Sequence, residues 1–329
     1  MSAESVKRSF RNPGSEWRGA PFWSWNDELD PEEIREQVRE MKRAGLGGFF
    51  MHSRIGLVTP YMSGGWMECI AAAVEEAREQ GMQAWLYDED RWPSGFGGGL
   101  VVGSDPDFAM KYLELAAPGS GQEHRFAVQR EGGQVRSYRR LSLEEEPGPT
   151  EELQEFRAGA APASAWFNDL PYTDNMNPDA VNAFIKACYA PYRRRFGEEF
   201  GGTIPGIFTD EPNIFSLHNM PPGERIPWTG RLPAEFLRRR GYDLLERLPE
   251  LFSASPAGFK TRHDYYRTVT ELFSEAYCKQ LGEWCERNSL ELTGHMLCEQ
   301  EFEQEIPVGG AAMPSLAYMQ RPGIDILGE

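Results

Sequence analysis

The sequence predicts an α/β fold: a (β/α)8 TIM-like barrel, incomplete, with a small β-rich insertion after its third strand. Three observations predict it. From Gly19 onward short apolar segments alternate with amphipathic helical stretches, the rhythm of βαβ units and a parallel sheet. Between Asp105 and about Asn168 that rhythm gives way to alternating apolar and polar residues around a Glu131-Gly132-Gly133 turn, which is hairpin patterning. Acidic and aromatic residues collect at the C-terminal ends of the predicted strands, the face of a barrel where chemistry sits. About six parallel strands are legible against the eight of a closed barrel. A doubly wound open sheet, which needs no closure, is the alternative.

In chain order, residues 1–17 read as a polar leader ordered only by docking, and residues 18–329 as the barrel domain. Gly19–Asn26 (GAPFWSWN) is a first strand ending after two tryptophans, the second of them Trp25. Asp30 as N-cap, Pro31 at the first helical position and Glu32 and Glu33 in the first turn start a helix. Its stripe runs through Ile34, Val38 and Met41. Gly47–Leu57 is a second strand with His52 and Arg54 near its end. A helix from about Trp66 to Gln80, closed by Gly81, leads to a third strand, Met82–Asp90, which opens into RWPSGFGGG. The insertion follows at about 105–168, with a flexible return after the Glu144–Glu146 run. It is placed to act as a lid. Asn177 and Pro178 restart a helix that delivers the chain to Thr203–Pro212. After an irregular stretch (Asn213–Leu232) comes a long helix from about His263 to Asn288. Leu290–Glu299 is a further strand and Gly323–Leu327 (GIDIL) another.

The totals narrow the function. Fifty-one acidic against 34 basic residues give a net charge of −17, which argues against nucleic acid or an anionic membrane as partner. No apolar run approaches a membrane span and the N-terminus has no apolar signal core. A soluble, cytoplasmic protein is expected. Five cysteines without CxxC spacing indicate neither a disulfide framework nor a zinc site.

Thr203–Pro212 (TIPGIFTDEP) is the most informative stretch. An apolar segment turns acidic at Asp210 and Glu211 and stops at Pro212, as a buried strand does when it delivers a carboxylate to its C-terminal end. Apolar surroundings raise a carboxyl pKa and suit it to proton donation near neutrality. Trp25 and Asn26, His52 and Arg54, Asp88, Glu89, Asp90 and Trp92, and His295 and Glu299 occupy equivalent strand ends. Together they would form a pocket of carboxylates, His, Arg and Trp, the material of glycoside hydrolysis by paired carboxylates. No nucleophile elbow, HExxH or phosphate loop is present. No cofactor is called for, although the Asp-His-Glu mixture could hold a divalent cation.

The blocks PFWSWNDEL, GGFFMHSRIGL, YDEDRWPSG, GIFTDEP and LTGHMLCE, in this order, resemble the catalytic barrel of bacterial glycoside hydrolases similar to the α-L-rhamnosidases of glycoside hydrolase family 106. The resemblance spans about Gly19 to Glu329. It implies a (β/α)8 barrel acting on a carbohydrate, with Glu211 matching the strand-end general acid. Asp210 stands where the wider superfamily often has Asn. Related barrels place the partner carboxylate on a late strand and continue into β-sandwich domains. Hence either Glu299 is the partner, or the partner comes from missing C-terminal domains or another subunit of a homo-oligomer. The sugar subsite would comprise His52, Arg54, Asp88, Asp90, Trp92, Asp210, His295 and Trp25. The rival functions are a non-catalytic carbohydrate-binding barrel and a metal-dependent hydrolase or isomerase.

Overall fold

The structure, a computed structural model, describes residues 3–120, 122, 124–215, 224–253 and 255–326. Six strands form a parallel sheet: β1 (Phe22–Trp25), β2 (Gly48–Ser53), β3 (Gln83–Tyr87), and, beyond the insertion, β8 (Gly206–Asp210), β10 (Glu291–His295) and β11 (Arg321–Pro322). They pair in that order, every pair parallel. The order follows the chain without the reversal a doubly wound sheet requires, so that alternative is corrected. Among the described residues β1 and β11 do not pair, and a complete barrel is not formed.

The sheet is nevertheless strongly curved. Phe22 on β1 and Phe208 on β8 belong to strands separated by two others, yet their ring centroids lie 4.9 Å apart. Phe50 packs between them, 5.4 Å from Phe22 and 5.3 Å from Phe208. The strand period of two puts Phe50 and His52, Trp85 and Tyr87, and Phe208 and Asp210 on the concave face. Trp23, Trp25, Phe49, Met51 and Leu86 face the helices instead.

Those helices follow local rules. The Asp30 side chain accepts from Glu32 and Glu33 N–H at 2.9 and 3.0 Å, capping α2 (Pro31–Arg43). Ser63 caps α3 (Gly64–Gln80), and Gly81, at φ 63°, ends it in the left-handed conformation Gly tolerates. The next crossover runs through Pro178–Phe184, a π turn at Ile185–Tyr189, and Ala190–Phe196. Pro191 lacks the N–H that would bond Ala187 and its ring crowds that carbonyl, which accounts for the widened turn just before it. Phe259–Phe273 and Gln280–Arg287 flank a second π turn. Among the described residues no helix is long and apolar enough to cross a membrane. The four helical cysteines are buried and unbridged.

The insertion is an antiparallel sheet of β4 (Lys111–Ala116), β5 (His124–Glu131), β6 (Gln134–Leu141) and β7 (Glu152–Ala160), joined by β9 (Arg225–Trp228) from beyond β8. Its order is β6-β5-β7-β4-β9, and the β5–β6 hairpin turns at the expected glycines. Three sequence expectations fail here and at the termini. The flexible return is β7, which pairs with both β4 and β5. Its Glu-, Ala- and Gly-containing text has low strand propensity, and the buried Arg125–Glu155 ion pair and Phe156 packed edge-on against Phe126 hold it instead. The leader contains a helix, α1 (Ala3–Arg11), and a turn at Ser15–Trp17. Gly323–Ile326 is not a strand. The pairing lies one step earlier, at Arg321–Pro322, and Leu327 lies outside the described residues.

Candidate active site

At the C-terminal ends of the parallel strands a cavity of about 700 Å³ opens. Phe22, Ser24, His52, Asp210 and His295 form its floor and wall from the strands. Asn26, Arg54, Ile55, Arg91, Trp92, Trp166, Glu211 and Asp325 line it from the loops.

Asp210 is its deepest charge, 6 % exposed. Tyr87 donates to its Oδ2 at 2.8 Å, His52 Nε2 lies 3.5 Å from the same oxygen, and His295 Nε2 lies 3.2 Å from Oδ1. Burial would raise this carboxyl, but the bonds from His295, His52 and Tyr87 hold it well below the usual carboxylate range. Asp210 is a fixed negative charge. Burial pushes His52 down, toward the neutral imidazole, and its Nδ1 is buried without a partner among the described residues. Burial also works against charge on His295. The hydrogen bond and charge of Asp210, with Glu211 and Asp325 beside it, outweigh burial and raise its pKa.

Glu211 behaves oppositely to its neighbour. Burial first, then the charge of Asp210, push its pKa up to about 7. Strand alternation would turn residue 211 away from Asp210, toward the helices. Its backbone is left-handed, φ 47°, a conformation costing a non-Gly residue about 1 kcal/mol, and the departure from the pleat leaves both carboxylates on one cavity. The Trp92 indole N–H donates to Glu211 Oε2. His295 Nε2 stands 3.7 Å from Glu211 Oε1 and 3.8 Å from Asp325 Oδ2. One ligand atom each of Glu211, His295 and Asp325 lies within 4.8 Å of the others. That spacing would admit a cation, but a histidine biased toward its protonated form is a poor ligand.

Of the residues singled out from sequence, His52, Arg54, Trp92, Asp210, Glu211 and His295 line this cavity. Trp25, Asp88, Asp90 and Glu299 do not. Trp25 sits on the opposite face of β1, packed edge-on against Trp23 and Trp66 in the core. Asp88 has the same outward parity. Ser94 donates to it at 2.6 Å and Tyr189 at 2.7 Å, and burial raises its pKa to about 7. Ser94 in turn accepts the Asp210 backbone N–H at 2.8 Å, so Asp88 supports the site from beneath. Asp90 anchors Arg91, at 3.0 Å, and Asn168, at 3.1 Å, and so holds a cavity arginine in place. Both Glu299 oxygens accept backbone N–H groups, from Met296 at 3.3 Å and from Asp325.

Besides Phe22, Ser24 and Ile55, the cavity residues Arg91, Trp166 and Asp325 escaped sequence reasoning. Arg91 directly follows Asp90, but nothing in RWPSG marks it as more than a charged loop residue. Trp166, from the segment after β7, donates its indole N–H to Trp92 O at 2.8 Å and stands edge-on to Trp92 at 5.9 Å. Asp325 was hidden inside GIDIL, whose alternation reads as a strand.

No family model and no curated protein sequence matches this chain. Solved structures do. A rhamnosidase from Novosphingobium sp. PP1Y superposes with a TM-score of 0.64 at 14 % identity, covering 95 % of this chain and 49 % of that one. A beta-galactosidase from the psychrophilic Marinomonas ef1 gives 0.50 at 9 %, covering 94 % and 40 %. The chain shares a fold with these glycosidases and spans about half the length of the rhamnosidase.

Proposed function

We propose that the protein cleaves a glycosidic bond, with Glu211 as general acid and Asp325, in place of Glu299, as the partner carboxylate. One observation carries this: across the cavity an oxygen of Glu211 and one of Asp325 lie within 4.8 Å, while Glu211 is pushed up to about 7. An acid protonated near neutrality and a second carboxylate facing it are what glycoside hydrolysis requires. Facing oxygens this close favour the retaining class, whose carboxyl groups stand about 5–5.5 Å apart, over the inverting class at roughly 6.5–9.5 Å.

The surrounding groups take consistent roles. Asp210, ionised and held by Tyr87, His52 and His295, keeps negative charge beside Glu211 and favours its protonated form. It also faces the cavity where a developing oxocarbenium ion would need stabilising. Trp92 and Trp166, edge-on to each other, offer an aromatic wall to a sugar ring. The rhamnosidase and beta-galactosidase that share the fold support a carbohydrate substrate, with a rhamnoside as the finer reading. The barrel would be completed by further strands, as in a closed (β/α)8 fold.

The test is turnover of a panel of aryl glycosides, rhamnosides and galactosides included, by the native protein, Glu211→Gln and Asp325→Asn. Losses of about 10²–10⁴-fold in both variants are expected. Native protein that binds sugars without turnover would instead favour a carbohydrate-binding barrel. Turnover abolished by chelation and restored by a divalent metal would favour a cation at Glu211, His295 and Asp325.

A further inference from the structure

A second cavity, of about 830 Å³, lies away from the one described, in the groove between the start of α3 and the Ala190–Phe196 helix. Its charge is unlike that of the rest of the molecule. In a chain of net charge −17, the arginines along α2 and α3 are ion-paired: Arg35 with Glu75 at 2.7 Å, Arg39 with Glu76 at 2.9 Å, and Arg78 with Glu199. The groove instead gathers Lys186, Arg194 and Arg195. Among the described residues none of these three has a carboxylate within ion-pairing distance. Arg195 only rests over the Phe196 ring, 5.6 Å from its centroid.

Arg194 and Arg195 also border a neighbouring depression shared with Glu75, Glu198 and Glu199, but none of these carboxylates is in ion-pair contact with them among the described residues. Beside the cations the lining is largely apolar, with Tyr61, Met67 and Pro191. A Cβ on Gly64, at the first turn of α3, would meet nothing within 4 Å, so a ligand can approach the backbone there. The lining therefore offers two kinds of contact side by side, positive charge for oxyanions and an apolar surface for C–H faces. A saccharide bearing carboxylate or sulfate groups presents both. A Cβ on Gly98 would come within 3.1 Å of Tyr61 and 3.2 Å of Asp90. The loop holding Arg91 at the first cavity thus also abuts the wall of the second.

We propose that this groove is a binding site for an anionic saccharide, with Lys186, Arg194 and Arg195 engaging its oxyanions. The saccharide half of the assignment rests on the carbohydrate reading above, and the oxyanion half does not.

The experiment is calorimetric titration of the full chain with an oligomannuronate, with cello-oligosaccharide of equal length, and with sodium sulfate alone. The combined Lys186→Ala, Arg194→Ala, Arg195→Ala protein and Arg54→Ala are titrated in parallel. The uronate should bind at least roughly tenfold more tightly than the neutral chain and weaken with added salt. Removing three exposed charges, each worth roughly twofold to fivefold, should weaken it at least roughly tenfold, while Arg54→Ala leaves it unchanged. Arg194→Gln alone gives a smaller loss in the same direction and serves if the triple variant misfolds, as judged by circular dichroism. Equal binding of uronate and neutral chain would overturn the proposal, as would native-like binding by the triple variant. Loss confined to Arg54→Ala would move the anion to the first cavity and overturn it too. Sulfate binding as tightly as the oligomer would reduce the groove to a simple oxyanion site. Turnover of neutral aryl glycosides, which the triple variant should retain, separates failure here from failure of the glycosidase reading.

Discussion

The ends of β3 and β8 look alike as text, Tyr-Asp-Glu-Asp in one and Thr-Asp-Glu in the other, yet the two regions use their carboxylates in opposite ways. At β3 every acid is occupied by the chain's own donors. Asp88 accepts from Ser94 and Tyr189. Glu89 accepts backbone N–H groups from Asp90, Gly95, Gly97 and Gly98 at 2.7–3.0 Å. Asp90 binds Arg91 and Asn168. At β8, Asp210 is likewise held, but among the described residues Glu211 has only the Trp92 indole as donor, with His295 near, and it lines the open cavity. Glu299 and Asp325 repeat the contrast, the first capped by backbone N–H and the second turned to the cavity. A strand-end acid is chemically available when its own loop leaves it unsatisfied.

The largest effects should separate these two classes. Glu211→Gln is expected to lower kcat by about 10²–10⁴-fold with little change in thermal midpoint, whereas Asp88→Ala should mainly destabilise, by about 1–3 kcal/mol, as read by denaturant unfolding. Comparable kcat losses in both would erase the distinction. Next, Asp325→Asn should cost far more turnover than Glu299→Gln, which keeps an oxygen to accept a backbone N–H. Steady-state rates of the two variants decide it, and the reverse order would restore Glu299 as partner. In the pH profile, Glu211 must be protonated to act, so kcat/KM should fall as pH rises through about 7. An alkaline limb that survives in Glu211→Gln would assign it elsewhere. The last effect is on stability alone. Glu89→Gln places an amide N–H₂ against two of the four N–H groups it now accepts, and should cost roughly 1.5–3 kcal/mol of stability, measured as a shift in unfolding midpoint at unchanged slope.

Much of this was legible in the sequence, and the failures have definite physical causes. The Ser63 cap, ahead of the Trp66 start expected from sequence, went unread, but caps and period marked α2 and α3 because Asp30 and Gly81 act locally. The insertion's hairpin was legible through Gly132 and Gly133 for the same reason. Trp25 and Asp88 were misplaced because a one-residue change of parity reverses the face of a strand, and proximity to a strand end does not reveal parity. Glu211 lines the cavity despite its parity, through a left-handed backbone that no residue type announced. Asp325 and β7 depend on long-range pairing, with Glu299 and with β4 and β5, and neither leaves a local signature.

The most direct test of Glu211 as general acid is the leaving-group dependence of the loss in Glu211→Gln. Aryl glycosides running from dinitrophenyl to unsubstituted phenyl would be compared in native and variant protein. The arrangement predicts a small loss for dinitrophenol, which departs without a proton, growing to about 10²–10⁴-fold for phenol. A loss of the same size across the series would contradict it, and would make Glu211 a residue that holds the sugar and does not protonate the leaving group.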